Sequence, residues 1–405
     1  MEKARRWVVV FALICGVLIF GGQGSAADPA EEVQALKTQV QQLLQRIEQL
    51  ESKQAKQAEQ TEKLTKKVET KVTLATAESG LKVKGRFFAG YFDDGEDGTF
   101  KNGSFEVPEA KFQLTWKPSE KIEVVNRLSF NNAAVGALDY FYLQVNQIVP
   151  ADQKSRLRLG KFKVDFGEET WVNNPVEDTA GLISTSASNT SGYDEGLELY
   201  GHFIPDKFGY AVSLTNGSKG TGSDNNSGKA VAAKLFVQPG KPLYLSASYY
   251  ASNDLAAAGA DMSIAGVTTP PAGVTEWNRN IWEFDVKGAL GKTKLAAAYG
   301  QFTDDFSGAT TDRKGDYYYA QALYNFTPQF YAGIRYSKVE LDNGVTATLN
   351  GVTKADEYTR TSLGVGYRLN KLVTIKAAYD WNNNNRPGLP DWKVDRFAVG
   401  IATSF

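Results

Sequence analysis

From Leu81 to Phe405 one pattern repeats: short runs in which apolar and polar side chains alternate, separated by turn formers. The last run, Arg396 to Phe405, puts Phe397, Val399, Ile401 and Phe405 on one side. Arg396, Ala398, Gly400, Ala402 and Ser404 fall on the other. Leu243, Leu245, Ala247 and Tyr249 alternate in the same way with Tyr244, Ser246, Ser248 and Tyr250. So do Val373, Ile375, Ala377, Tyr379 and Trp381 with Thr374, Lys376, Ala378 and Asp380. Sixteen such segments can be counted. Short connections such as Lys117-Pro118-Ser119-Glu120, Pro205-Asp206-Lys207 and Gly291-Lys292 alternate with long polar ones such as 167–192, 216–228 and 251–279. Aromatics gather near segment ends, as membrane-interface girdles require. The pattern predicts an all-β transmembrane fold over 80–405: a sixteen-stranded antiparallel β-barrel, apolar outside and polar inside. A soluble pair of β-sandwiches accounts for fewer of these features together.

The first eighty residues differ. Lys3, Arg5 and Arg6 precede an apolar run, Trp7 to Phe20, too short to span a bilayer comfortably, and Ser25-Ala26-Ala27 supplies small residues for cleavage. Residues 1–27 read as a signal peptide. Leu13-Ile14 before Cys15 is the wrong context for lipidation, and without Cys15 the mature chain has no thiol. Over 28–79, Val33, Leu36, Val40, Leu43, Ile47 and Leu50 recur at spacings of three and four, with Gln54, Gln57, Thr61, Leu64, Val68 and Lys71 continuing the register. This is a coiled-coil helix preceding the barrel, whose β-branched-then-Leu seam leans toward two strands. An even strand count leaves both barrel ends on the short-turn rim, so the helix is expected in the periplasm. The formal net charge of −1 becomes about −3 without the signal, which excludes nucleic acid as a partner by bulk charge.

Several stretches then resemble a known family. Leu157-Arg158-Leu159-Gly160-Lys161-Phe162-Lys163-Val164-Asp165-Phe166-Gly167 is similar to the strand leading into the constriction loop of the phosphate-selective porin O and P family. Asn216-Gly217 with Asp224 to Lys229, Tyr331 to Tyr336, and Leu363 to Asn370 resemble further stretches of it. Asp165 stands where that family often has Pro. The resemblance covers most of 80–405. It implies a sixteen-stranded trimeric outer-membrane channel, and the trimer is preferred here over the two-strand lean of the heptads.

Charge on the inner wall is the only chemistry such a fold needs. Alternation turns Arg86, Lys111, Arg127, Arg156, Arg158, Lys234, Lys294, Arg335, Arg360, Lys376 and Arg396 inward, with Lys82, Lys84 and Arg368 near the periplasmic mouth. Inward acids are fewer: Glu109, Glu123, Glu198, Glu283 and Asp285. The loop 167–192 follows the fifth strand, where porins of this size fold a loop inward, and carries Glu168, Glu169, Glu177 and Asp178 without Lys or Arg. Bases facing these acids set up a transverse field with a modest anion preference. A tight phosphate site would instead surround its anion with donors. The expected partners are outer-membrane lipid, two further copies in a homotrimer, small hydrophilic solutes or anions, and the cell wall through the coiled coil. No cofactor or metal is expected. An enzyme is not expected either: His202 is the only histidine, is read as a turn or interface residue, and has no nucleophile pair. The competing readings are a non-selective or cation-leaning pore, and an envelope tether with a plugged barrel.

Overall fold

The computed structural model describes residues 80–405 apart from 132–133, 170–181, 219–223, 241, 309–310 and 343, together with Gln41, Gln42, Gln45, Arg46 and Gln49. The chain forms two compact units, Met1–Ala75 and Thr76–Phe405. In the first, those five polar residues are helical and exposed. The signal segment and the heptad seam positions lie outside the described residues.

The second unit is a closed barrel of sixteen strands. They are β1 (Leu81–Asp93), β2 (Ser104–Trp116), β3 (Ile122–Asn131), β4 (Ala134–Asn146), β5 (Arg156–Lys163), β6 (Tyr193–Ile204), β7 (Phe208–Thr215) and β8 (Ala230–Gly240). The other half is β9 (Leu243–Ala256), β10 (Glu276–Leu290), β11 (Thr293–Phe306), β12 (Arg313–Asn325), β13 (Phe330–Leu341), β14 (Glu357–Arg368), β15 (Val373–Asn385) and β16 (Arg396–Ser404). Each strand pairs antiparallel with its sequence neighbours, and β16 pairs back onto β1 from Arg86↔Ser404 to Asp93↔Phe397. Closure leaves no strand edge unpaired, the condition for a sheet to survive in hydrocarbon. Phe405 completes the seam: its N–H and C=O both bond to Gly85, and its ring packs on Phe112 of β2.

The period-two reading of the faces holds. Leu243, Leu245 and Tyr249 are exposed on the outer face of β9, while Ser246, Ser248 and Tyr250 are buried inside. The outer face carries two aromatic belts. Tyr324, Phe326, Phe330, Tyr367 and Trp116 ring the short-turn rim, and Tyr249, Tyr299, Tyr318, Tyr336, Tyr379 and Trp381 lie nearer the long loops. Six or seven strand residues separate them, roughly 20–24 Å along the strand, which matches an apolar band tilted across a bilayer.

Two details depart from the expected layout. The β3–β4 link is short (132–133), so the long-short alternation fails once. Several strands also run past their apolar stretch: β9 continues to Ala256 and β15 to Asn385. The hydrogen-bonded ladder does not need apolar side chains once it leaves the membrane. In β2, Pro108 has no N–H to give the ladder, and the register with β1 shifts there, between Phe88↔Glu109 and Gly90↔Glu106.

Candidate functional site in the barrel lumen

The loop 164–192 turns into the lumen at Gly167. This residue has φ of 60°, a left-handed turn that favours glycine, and the Glu283 carboxylate lies close against its Cα. Gly167 N–H donates to Ser248 Oγ (3.1 Å), and Glu168 N–H to Asp285 Oδ1 (3.0 Å). Lys234 of β8 reaches Asp165 (3.0 Å) and the Gly167 carbonyl (2.8 Å), and also pairs with Glu168. Lys287 of β10 pairs with Glu168 too, and the Tyr244 hydroxyl donates to it at 2.7 Å. Burial would raise the Glu168 carboxyl, but Lys234 and Lys287 outweigh it and hold it below the usual carboxylate range. Glu169 accepts from the Ser186 N–H (2.7 Å) within the same loop.

The described return of the loop, from Leu182 to Gly192, lies against the strands of the second half of the barrel and β1. Arg335 of β13 donates to the Ser184 carbonyl, and Arg360 of β14 to the Thr185 carbonyl (2.8 Å). The Ala187 N–H meets Ser337 Oγ (2.8 Å), Ser184 meets Asp380, and Thr190 Oγ1 meets Glu283 (3.1 Å). Ile183 packs with Phe88 and Phe92 of β1 and Ala398 and Ala402 of β16.

A second loop, 257–275, is folded inward against the first. Ser263–Ile264 pairs with Thr190–Ser191, and the Ala265 N–H donates to the Asn189 carbonyl (3.1 Å). Arg279 of β10 holds this loop through the carbonyls of Met262 (2.7 Å) and Val267 (2.9 Å), with a two-pronged pair to Asp304 of β11. Met262, Ile264 and Val267 join Val164, Phe166 and Ala187 in one buried apolar cluster with Leu349 and Ala355 of a hairpin in 342–356. Three loops therefore interlock inside the barrel.

The bases assigned to the inner wall take up different work. Arg86, Lys111 and Arg127 form one chain of charge with Glu109 and Asp139: Arg86 pairs with Glu109, and Lys111 meets Asp139 at 2.9 Å and Glu109 at 3.8 Å. Arg127 meets Asp139 at 3.1 Å, with its guanidinium 3.6 Å over the Tyr140 ring. Arg158 pairs with Glu198 (2.8 Å), and Arg156 lies 3.8 Å over the Tyr200 ring. Arg396 grips Asp94 (2.6 and 3.0 Å). Lys376 is buried, whereas Lys294 is exposed at the short-turn end of β11. Lys234, Arg335 and Arg360 bind the loop directly: Lys234 touches the acid Glu168 instead of facing it across a gap, and the two arginines hold backbone carbonyls. Glu177 and Asp178 lie outside the described residues. Of the two readings given to His202, a turn or an interface residue, its contacts fit the turn: it points inward at the short-turn mouth, with Nδ1 3.3 Å from Asp152 of the turn 147–155. Sequence alternation missed Lys287, although it shares a face with Glu283 and Asp285. It also missed Asp139, displaced by a bulge, and Asp94, beyond the end of β1.

The fold is that of sixteen-stranded outer-membrane porins. OmpT of Vibrio cholerae, in a loop-deletion form, superimposes with a TM-score of 0.54 at 11% identity over 80% of this chain and 99% of that one. The outer-membrane channel DcaP of Acinetobacter baumannii gives 0.54 at 13% identity over 80% and 97%. OprB of Pseudomonas putida gives 0.54 at 9% identity over 82% and 96%. No family model and no curated protein matches the chain.

Proposed function

We propose that this protein is an outer-membrane porin for passive diffusion of small hydrophilic solutes, with a modest preference for anions. One observation carries the anion preference: along β1–β6, Arg86, Lys111, Arg127, Arg156 and Arg158 line the wall, and four of them, Arg86, Lys111, Arg127 and Arg158, pair with three acids, Glu109, Asp139 and Glu198. A cationic surplus on a low-dielectric wall concentrates anions and repels cations. The same mixing of acids with bases argues against a tight phosphate site, so phosphate is one permeant anion among several. In this reading residues 1–27 direct export, 28–79 form a periplasmic coiled coil that offers a contact to the cell wall, and three copies assemble in the lipid. The trimer form described for OmpT of Vibrio cholerae supports that assembly.

The test is the reversal potential of the purified protein in planar bilayers under a potassium chloride gradient. A potential of the sign set by chloride is expected; a potassium preference overturns the anion reading. The interlocked loops favour a second reading, a plugged barrel serving as an envelope tether, and a bilayer-inserted protein without conductance would establish it.

A further inference from the structure

Beneath the anchored root of the loop 164–192, a cavity of about 830 Å³ opens at the short-turn rim. Its size suits a small organic ligand with accompanying water. Five basic and three acidic side chains line it. Its wall is a row of three rings running around the lumen from β6 to β9. Tyr200 and Phe236 stack at 5.5 Å with their planes 20° apart, and Phe236 and Tyr244 at 5.8 Å and 15°. The row passes over β7 because Gly209 leaves room for it: a Cβ there would stand 2.4 Å from Phe236 Cζ. Each end carries a cation, Arg156 over Tyr200 and Lys287 at 4.3 Å over Tyr244. His202 closes the row from the rim, edge-on to Tyr200 and Phe236.

This arrangement exceeds what a barrel wall needs for stability. Arg156 makes no ion pair among the described residues, and its Nε is buried without a hydrogen-bond partner. Rings stacked face to face leave their positive edges for a ligand beside the row, and the two cations add to that sign. A bare phosphate would leave the three rings without a partner, and a neutral sugar would leave the cations unanswered.

We propose that this vestibule is a binding site for a planar aromatic carboxylate, which seats its carboxylate at Arg156 and its ring against the Tyr200–Phe236–Tyr244 row. The proposal rests on the channel reading above and gives that pore a substrate class.

The probes are benzoate, acetate as the same charge without a ring, and benzyl alcohol as the ring without the charge. In single-channel records benzoate should interrupt the current at about ten-fold lower concentration than acetate, with benzyl alcohol inert. Phe236→Leu and Arg156→Gln should each raise the half-blocking concentration of benzoate roughly three- to ten-fold, with the conductance between blocks reporting a folded pore. Equal block by benzoate and acetate, or an unchanged half-block in Phe236→Leu, overturns the site. Should the protein not conduct, titration calorimetry of the detergent-solubilised chain still decides. Saturable benzoate heat, weakened in both variants, sustains the site although the channel reading fails; no heat removes it.

Discussion

Glu168 shows how much one side chain decides in a lumen. It joins the inserted loop to Lys234, Lys287 and Tyr244, and those two lysines keep it ionised. Glu168→Gln removes one negative charge at the root of the inserted loop while Lys234 keeps Asp165. A unit charge about 8 Å from a permeating ion in water contributes about 0.5 kcal/mol. The anion-over-cation permeability ratio should therefore rise roughly two- to five-fold, read from reversal potentials before and after the substitution. Such inward facing was legible in the sequence, because period two fixes the side of every wall residue once a strand is recognised. The partners were not. Asp139 reaches Lys111 and Arg127 through a bulge that breaks the count, and Asp94 reaches Arg396 from beyond its strand across the barrel seam. The row of Tyr200, Phe236 and Tyr244 depends on a glycine in a different strand, which no local pattern announces.

Among the elements, the strands were legible and the loops were not, for the same physical reason. A strand declares itself through its neighbours in sequence, whereas 164–192, 257–275 and 342–356 are shaped by one another across long separations. Met262, Ile264 and Val267 are too sparse to read as a core until Phe166 and Leu349 are brought beside them. One of these contacts depends on acidity. The Asp261 N–H donates to the Gly217 carbonyl (3.0 Å), and the Gly217 N–H to Asp194 (2.6 Å), so the second loop is latched over the start of β6. Burial first, then the facing Asp194 carboxylate, push Asp261 up to about 8; Glu195 pushes the same way and Lys161 opposes it. Unfolded aspartate titrates near ~3.9, so the folded latch holds its proton more tightly than the open one. Its stability is complete below about pH 4, declines as the pH rises, and has lost on the order of a few kcal/mol above about 8. Amide exchange of residues 260–267, corrected for the intrinsic rate, should accordingly open faster at pH 9 than at pH 5. Asp261→Asn should flatten that dependence; equal opening at both values in the unsubstituted protein would exclude the latch.

At the scale of the whole molecule, the barrel closes on itself: β16 pairs with β1 and every barrel strand has two strand partners. The other compact unit of the chain is Met1–Ala75. The helical residues described there, Gln41, Gln42, Gln45, Arg46 and Gln49, all fall outside the seam formed by Val33, Leu36, Val40, Leu43, Ile47 and Leu50, and all are exposed. A helix with a polar outer face and an apolar seam stabilises an assembly by burying that seam against copies of itself. Deleting 28–79 should then separate two properties that a single cooperative unit would lose together. Conductance and ion selectivity in bilayers should stay as in the full chain, because the wall charges and the interlocked loops all lie beyond Gly80. The oligomer should dissociate in detergent at a temperature lower by on the order of 10 °C, read as the loss of the slow-migrating band on heating, since each kcal/mol of assembly shifts such a midpoint by a few degrees. A deletion that lowers conductance would make the first unit part of the pore. One that leaves the oligomer equally heat-resistant would turn the seam toward a different partner, with the cell wall the first to test.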